Sequence, residues 1–449
     1  MKIPKSRDIK KIALINPRRL LQQDSFRIYE MFEKNNERLK PWFAPPLSLL
    51  TIASLTPASI EVKIIDEHFE EIDFDEPFDL VGITAMTQQA NRAYEIAELF
   101  KCRNVIVVMG GIHASVLPQE ALQHVNTVII GEAEVLWKVY LADLISGTEQ
   151  SIYKNNTLID LNASILPRYD LINFNQFNKL SSYFKFLPIQ ATRGCPHDCS
   201  FCVTTKFYGK KIRKKKISQI IKEIETLKNV SNNALMLFVD DNLFVDKTFA
   251  KALLKELIQL KIKYIAQSDV KFADDEELLR LAYLSGCVMV LIGFESINIQ
   301  ALSEINENSW KMKQLQNYPE AIQRIQANGI IVFGAFIIGF KNDNLSTFKQ
   351  IGAFVKQNFI PGQFTLLTPL PGSQLFDQLK AEGRLYDLTF WNRCSFFDLT
   401  FKHDSLSREK AEDEIIKLHN EVFNEENSIV RSMHMMQIYK TLPPRWILQ

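Results

Sequence analysis

Apolar positions fall into two long blocks of different rhythm, and the blocks outline the fold. In the first, Lys10–Asn16 is a short apolar run that predicts a buried strand. After a polar segment, Pro45-Pro46-Leu-Ser-Leu-Leu-Thr-Ile-Ala-Ser-Leu predicts a helix with prolines at its head, where a missing N–H costs least. Runs at Val62–Asp66, Leu80–Met86, Asn104–Met109 and Thr127–Ile130 predict further strands. Between and after them, Gln89–Phe100 and a stretch reaching about Ile145 carry the spacing of helices. Strands alternating with helices imply a parallel, doubly wound sheet. Such a sheet binds ligands beyond the carboxyl ends of its strands. That rule nominates Thr84, Thr87, Gln88, Gly110, Gly111, Gly131 and Glu132. Glycines there let a ligand approach the backbone, although ordinary turn glycines leave the same trace.

Residues 149–182 show no sustained period and read as a linker. From residue 183 the alternation resumes. Tyr183–Ala191, Ala234–Val239, Tyr264–Ala266, Val288–Ile292, Ile331–Ile338 and Gln363–Leu367 predict six strands. Helical spacing at Ile217, Ile220, Ile221, Ile224 and Leu227, then over Thr248–Leu260, Asp274–Leu284, the stretch through Ile322–Gln326 and Ser346–Gln357, fills the intervals. Six β/α units over 183–372 predict a partial (β/α)6 barrel. Polar residues and glycines follow each strand, at the face where barrel active sites lie. Residues 373–449 carry helical stretches around Gln374–Glu382 and Ser407–Phe423. The predicted fold class is therefore α/β: a Rossmann-like domain over 1–148, a linker, the barrel, and a mainly helical C-terminal extension.

Composition narrows the picture. A chain of 449 residues exceeds one ordinary core, so two or three domains are expected. A net charge of +1 argues against a nucleic-acid partner held by bulk electrostatics. The N-terminus, Met1-Lys-Ile-Pro-Lys-Ser-Arg-Asp, carries no apolar signal segment. The longest apolar stretches, near 288–294 and 330–340, fall short of the roughly 20 residues that a membrane span needs. Six cysteines without a signal peptide suggest a reducing cytoplasm.

Three of those cysteines crowd into Gln190-Ala-Thr-Arg-Gly-Cys195-Pro-His-Asp-Cys199-Ser-Phe-Cys202, directly after the first predicted barrel strand. Cys102, Cys287 and Cys394 stand apart. Three close thiolates can hold three irons of a cubane cluster and leave the fourth open to a small molecule. The alternative is structural zinc with His197 or a distant cysteine as fourth ligand, but such sites usually pair two C-x2-C units and one exists here. No G-x-G-x-x-G is present, so a nicotinamide cofactor is unsupported. Lys210, Lys211, Arg213, Lys214, Lys215 and Lys216 form a basic run before a predicted helix. A solvated face explains most such runs. Cations at a helix N-terminus oppose its dipole, however, and an anionic partner such as a cofactor phosphate or an acidic substrate, faced by Arg213, would account for them.

C-x3-C-x2-C with an aromatic, Phe201, before the third cysteine resembles the radical S-adenosylmethionine (radical SAM) superfamily. Asp240-Asp241-Asn242, Gly293-Phe-Glu295-Ser296, Gly334-Ala-Phe-Ile-Ile-Gly339 and Leu370-Pro-Gly372-Ser resemble strand-end motifs of one branch, which joins a cobalamin-binding domain to the radical core. Pro45-Pro46-Leu-Ser, Ile65-Asp66-Glu67, Gly110-Gly111-Ile-His113-Ala-Ser115 and Gly131-Glu132-Ala-Glu134 resemble its Rossmann-like domain, so the similarity spans nearly the whole chain.

The resemblance implies a 4Fe-4S cluster on Cys195, Cys199 and Cys202. S-adenosylmethionine would chelate the open iron and yield a 5′-deoxyadenosyl radical on one-electron reduction. Its contacts would be Phe201, Asp240, Gln267, Glu295, Ser296 and Gly339. Glu295 could instead form a barrel-interior salt bridge, and Asp240 and Asp241 could cap the next helix. Cobalamin would lie against Thr84, Gln88, Gly110, Gly111, Gly131 and Glu132. The Asp-x-His-x-x-Gly that supplies a lower His ligand in many cobalamin domains is missing after Asn16-Pro17, and His113 lies in a later loop. Cobalamin is therefore expected without a His ligand. The implied partners are a small-molecule substrate and an electron donor such as flavodoxin or ferredoxin. Family members often close the barrel mouth with a C-terminal segment. Here Phe390, Trp391, Phe396, Phe397 and Phe401 would suit a hydrophobic substrate or serve as plain core. The implied reaction is methylation of an unactivated carbon by way of methylated cobalamin. Non-methylating cyclisation or rearrangement, or a cofactor-binding regulatory role without turnover, are the other readings.

Overall fold

A computed structural model describes residues 6–19, 44–155, 157–172, 186–231, 234–305, 310–387 and 391–441. The beginning of the first predicted barrel strand, 183–185, and Phe390 lie outside the described residues.

Six parallel strands build the first sheet: β1 (Lys11–Asn16), β2 (Glu61–Asp66), β3 (Leu80–Thr84), β4 (Ile106–Gly110), β5 (Thr127–Ile130) and β6 (Ile152–Lys154). Their order is β2-β1-β3-β4-β5-β6. Central strands are almost wholly apolar because helices cover both faces. Leu47–Leu55 and Ala133–Ser146 pack on one face and Ala90–Lys101 on the other. Strand order reverses between β1 and β3, which opens a crevice beyond their carboxyl ends. The short β6 falls in the stretch without sustained period. Three residues carry too little alternation to announce a strand, and pairing with β5 through Val128 and Ile152 supplies it.

The second sheet starts with β7 (Phe186–Ile189). The chain then makes a small antiparallel ladder of β8 (Thr192–Arg193) and β9 (Arg213–Lys214). It returns to the sheet as β10 (Leu235–Phe238), β11 (Tyr264–Ser268), β12 (Cys287–Glu295), β13 (Ile331–Ile338) and β14 (Gly362–Leu366). All six long-sheet strands are parallel and adjacent in chain order, giving the expected partial barrel. Asp246, not Asp240 or Asp241, caps the helix Lys247–Leu260 by accepting from the Phe249 N–H. β12 continues past its predicted end at Ile292. Its register against β13 shifts between Gly293 and Glu295, and Glu295 takes a left-handed φ of 65°. A bulge of this kind re-aims one side chain at a strand end.

The C-terminal extension is mainly helical, with Gln374–Ala381, Arg408–Phe423 and Glu425–Thr441. Helix Arg408–Phe423 packs on Leu345–Gln357 and on the edge strand β14, where it covers unpaired backbone. Trp391 and Phe401 are core, and Phe397 packs partly buried against it. Trp391 is buried in the first domain, its Nε1 donating to Glu120 Oε1 at 2.6 Å, and Phe401 joins the barrel core. Among them lie two acids, Asp398 buried and Glu412 half-buried. Burial pushes Asp398 up to about 6 and, joined by the Asp398 charge, pushes Glu412 up to about 7.

Folded Asp398 and Glu412 therefore hold protons at pH values where the unfolded chain, titrating near 4, has lost them. The folded state binds more protons between about pH 4 and 7, so stability falls as pH rises through that window. Thermal melts across this range should show that fall, and Glu412→Gln should flatten it. An unchanged slope in the variant would refute the assignment.

Candidate active site

The cysteine loop is built between two anchors. On one side, Asp240 at the end of β10 is fully buried and accepts from the Ala191 N–H at 3.1 Å, from the Thr192 N–H, and from Thr192 Oγ1 at 2.7 Å. On the other, Cys195 N–H donates to Gly209 O at 3.3 Å. Between them Gly194 takes φ 101°, and a Cβ there would lie 2.5 Å from Lys211 O. Only glycine lets the loop turn back against its own hairpin. Asp241 accepts from Gly194 N–H at 3.3 Å and Thr204 Oγ1 at 3.2 Å.

Cys195, Cys199 and Cys202 share this loop and feel one another electrostatically. Burial pushes Cys195 up to about 11 and Cys199 up to about 12, and raises Cys202. Thr204 N–H donates to Cys202 Sγ at 3.4 Å, and Lys311 opposes the shift at Cys199. Among the described residues no three His, Cys, Asp or Glu side chains already enclose a metal position. The donor chemistry nonetheless fits an iron–sulfur cluster. Three thiols on one short loop, desolvated and supplied with an N–H donor, lack the positive charge that would ionise them, and bound iron supplies it. His197 is engaged away from the three thiols. Its Nε2 lies 2.8 Å from Asp269 Oδ2 and its ring stacks on Trp310. Phe201 packs edge-on to Phe340, 6.2 Å between centroids.

The other strand ends bring further expected residues to this face. Gln267, on β11, has a side-chain amide without a partner among the described residues. Glu295 forms the barrel-interior salt bridge, its Oε1 2.6 Å from Lys311 Nζ. Lys311 also donates to Gly293 O at 2.8 Å. Burial works to lower the Lys311 pKa, but the Glu295 charge outweighs it and keeps the ammonium protonated. Lys311 carries no sequence signal, since it lies on a separate helix, Trp310–Gln314, sixteen positions past Glu295. Ser296 is buried and accepts from Asn298 N–H at 3.0 Å. Gly339 takes φ 120° and its N–H donates to buried Asp343.

In the first domain, Thr84, Gly110, Gly111, Gly131 and Glu132 line one cleft of about 740 Å³ at the carboxyl ends of the strands. Its floor is apolar, with Leu14, Val108 and Trp137, and Gly82 lies in it with no space for a side chain, a Cβ there meeting Leu14 at 2.9 Å. A Cβ on Gly131 would meet nothing within 4 Å. An apolar cleft with a glycine rim at a switch point fits a large cofactor. Gln88 lies outside it, buried, with its side-chain amide against Arg19. His113 also lies outside, with Nε2 2.8 Å from Tyr94 Oη and its ring edge-on to Trp391.

The cleft's outer wall comes from the barrel: Arg193, Phe207 and Tyr208. Arg193 Nη1 reaches Glu132 Oε1 at 2.8 Å and its Nη2 reaches Glu134 at 2.6 Å, while Arg213 Nη1 donates to both Glu132 oxygens at 2.9 and 2.8 Å. The anion that Arg213 meets is thus an internal carboxylate, Glu132, which the sequence had marked only as a cofactor contact, and not the cofactor phosphate or acidic substrate expected for it. The pairing was invisible because the partners are 81 residues apart.

The model of the radical SAM superfamily matches residues 189–355, and that of the B12 binding domain residues 43–139. The chain is 32% identical over 384 residues to bacteriochlorophyllide d C-12(1)-methyltransferase of Chlorobaculum tepidum, spanning 84% of this chain and 82% of that protein. It is 30% identical to the same organism's bacteriochlorophyllide d C-8(2)-methyltransferase over 88% of each. Among solved structures, the radical S-adenosylmethionine methyltransferase TsrM from Kitasatospora setae, with cobalamin and 4Fe-4S cluster bound, superposes with a TM-score of 0.66 at 16% identity, covering 94% of this chain and 83% of that one. The cobalamin-dependent radical enzyme OxsB, with aqua-cobalamin and S-adenosylmethionine bound, gives 0.67 at 14% identity, covering 96% and 71%. The chain belongs to the radical SAM superfamily, in the group whose radical core follows a B12 binding domain. It is a radical SAM enzyme with a 4Fe-4S cluster, S-adenosylmethionine and cobalamin as cofactors. It acts on a small molecule and depends on a reductant.

Two variants test the loop's construction. Gly194→Ala should fold yet lose its iron on desalting, because a Cβ cannot fit against Lys211 O; retained iron would contradict this. Glu132→Ala should cost about 3–5 kcal/mol, since it leaves Arg213 buried without a counter-ion and Arg193 with Glu134 alone. Urea unfolding measures that loss, and Glu132→Gln should lose less.

Proposed function

We propose that the chain is a cobalamin-dependent C-methyltransferase acting on an unactivated carbon of a hydrophobic small molecule. One observation carries the reading. The cleft of the B12 binding domain has a wall made by Arg193, Phe207 and Tyr208, residues that flank or follow the cysteine loop, which supports methyl donor and radical source lying side by side. The relatives named as methyltransferases over most of the chain point the same way, and their bacteriochlorophyllide substrates support a hydrophobic one.

When bound, cluster and S-adenosylmethionine supply the deoxyadenosyl radical that abstracts hydrogen, and cobalamin supplies the methyl group. The chain's residues hold and shield them. Cys195, Cys199 and Cys202 ligate iron, and Phe201 screens the loop from water against Phe340. Gln267, Glu295 and Ser296 orient the S-adenosylmethionine, and the glycine backbone at 339 lets it approach. Asp240 acts through the loop backbone it fixes. Gly110, Gly111, Gly131 and Thr84 form the cobalamin rim. No histidine lines the cleft among the described residues, which supports cobalamin without a His lower ligand. Free thiols at the six cysteines suit a reducing cytoplasm, where flavodoxin or ferredoxin can serve as donor. Among the described residues no helix is long and apolar enough to cross a membrane.

Anaerobic turnover with candidate substrates should release both 5′-deoxyadenosine and S-adenosylhomocysteine, and cobalamin titration should change the optical spectrum of the reconstituted protein. 5′-Deoxyadenosine alone would replace methylation with another radical reaction. Neither product would leave a binding role, and an unchanged spectrum would remove cobalamin.

A further inference from the structure

We propose that the outward face of residues 206–216 is the docking surface for a small acidic electron-carrier protein that reduces the cluster. The proposal rests on the radical SAM assignment, which requires an external one-electron donor. The basic run divides by direction. Arg213 and Lys215 point inward and are consumed, Arg213 by Glu132 and Lys215 by fully buried Glu223 at 2.8 Å. Lys214 and Lys216, alternating with them as strand geometry demands, point outward and are exposed, as are Lys206, Lys210 and Lys211. Lys210 and Lys214 pair with the surface acids Asp198 and Asp246. Lys206, Lys211 and Lys216 have no acidic partner among the described residues.

This unspent positive charge sits on a chain whose net charge is only +1, so it is local rather than global. It borders an open depression of about 790 Å³ that Lys211, Lys214, Lys216 and Phe249 line. It also abuts the cysteine loop. Lys211 O contacts the backbone of Gly194, the residue before the first iron ligand, and β9 is hydrogen-bonded to β8 directly upstream. A positive rim beside a redox centre, with no structural task for its charges, suits an acidic protein that must approach the cluster and leave again. Long-range attraction of that kind raises encounter rate and fades with salt. In the transfer, one electron leaves the donor's reduced flavin or iron–sulfur centre and enters the oxidised cluster. No group crosses the interface, and any proton released by the flavin goes to solvent.

The test mixes reconstituted holoenzyme with reduced flavodoxin in anaerobic stopped flow and follows cluster bleaching. The triple variant Lys206→Glu, Lys211→Glu, Lys216→Glu should slow reduction about tenfold or more at low ionic strength. The difference should vanish near about 1 M salt, where the Debye length is about 3 Å. Iron content and the dithionite end point should match wild type, which separates lost docking from a damaged cluster. Lys211→Gln, Lys216→Gln should fall between. Independently of turnover, carbodiimide cross-linking of wild-type protein to flavodoxin should join Lys206, Lys211 or Lys216 to donor carboxylates. Wild-type rate and salt dependence in the triple variant would overturn the proposal. So would cross-links confined to other lysines, or a strip that binds phosphatidylserine vesicles or RNA but not flavodoxin. Loss of iron in the charge variants would overturn it too, by giving those lysines a structural task.

Discussion

Glu132 has almost no contact with water, and two guanidiniums close on it from the other half of the molecule. The carboxylate belongs to the turn after β5. Arg193 and Arg213 are cross-strand partners on the hairpin of β8 and β9. Desolvating three charges is expensive, and a well-packed apolar seam could be as stable. An ion network adds direction, because planar guanidinium forks meet a carboxylate in few orientations. A slip of one residue in β9 would send Lys214 inward and Arg213 outward. Glu132 would then lose its bidentate partner. We read the network as a register device joining the B12 binding domain to the hairpin that carries the cluster ligands.

That seam explains how the cysteine loop is firmly placed. Asp240 holds the loop's entry from inside the barrel, and the hairpin holds it from the domain side. Gly194 sits between, folded onto the backbone of Lys211. The same Arg193 then walls the cleft where cobalamin is expected. A displacement at the seam would move the cluster and its facing cofactor together rather than one past the other. For chemistry that passes between two cofactors, keeping their separation fixed matters more than the stability of either domain alone.

Much of this was legible in the sequence, and the exceptions share a cause. Strands and helices with a full period of apolar residues stood out, from β1 to the helix Leu345–Gln357. The three cysteines and the glycines of the cleft rim were marked by spacing and by their place after strands. What stayed hidden was everything decided by a partner far along the chain. β6, β8 and β9 are two or three residues long and exist through pairing. The basic run gave no sign that its inward members were bound to Glu132 and Glu223. Gln88 and His113 follow strands as cofactor contacts do, yet they turn into packing. Trp391 and Phe401 had the composition of a lid and became core, and Trp391 found Glu120 more than 250 positions away.

The bulge at Glu295 shows how such a partnership shapes chemistry. An unbroken β12 would not present the Glu295 carboxylate in its observed direction; the register shift and the left-handed residue turn it toward Lys311. Lys311 in turn is the cation that opposes the raised pKa of Cys199. Glu295 therefore serves two ends at once. It keeps a buried ammonium charged beside Cys199, and it stands where S-adenosylmethionine is expected to be gripped. A ligand that draws on Glu295 must leave Lys311 another acceptor. The Gly293 carbonyl at 2.8 Å already provides one, and the second oxygen of Glu295 is free of any ion pair with Lys311. Recruiting Glu295 to a ligand thus need not discharge Lys311, and the positive field at Cys199 persists whether or not the site is filled.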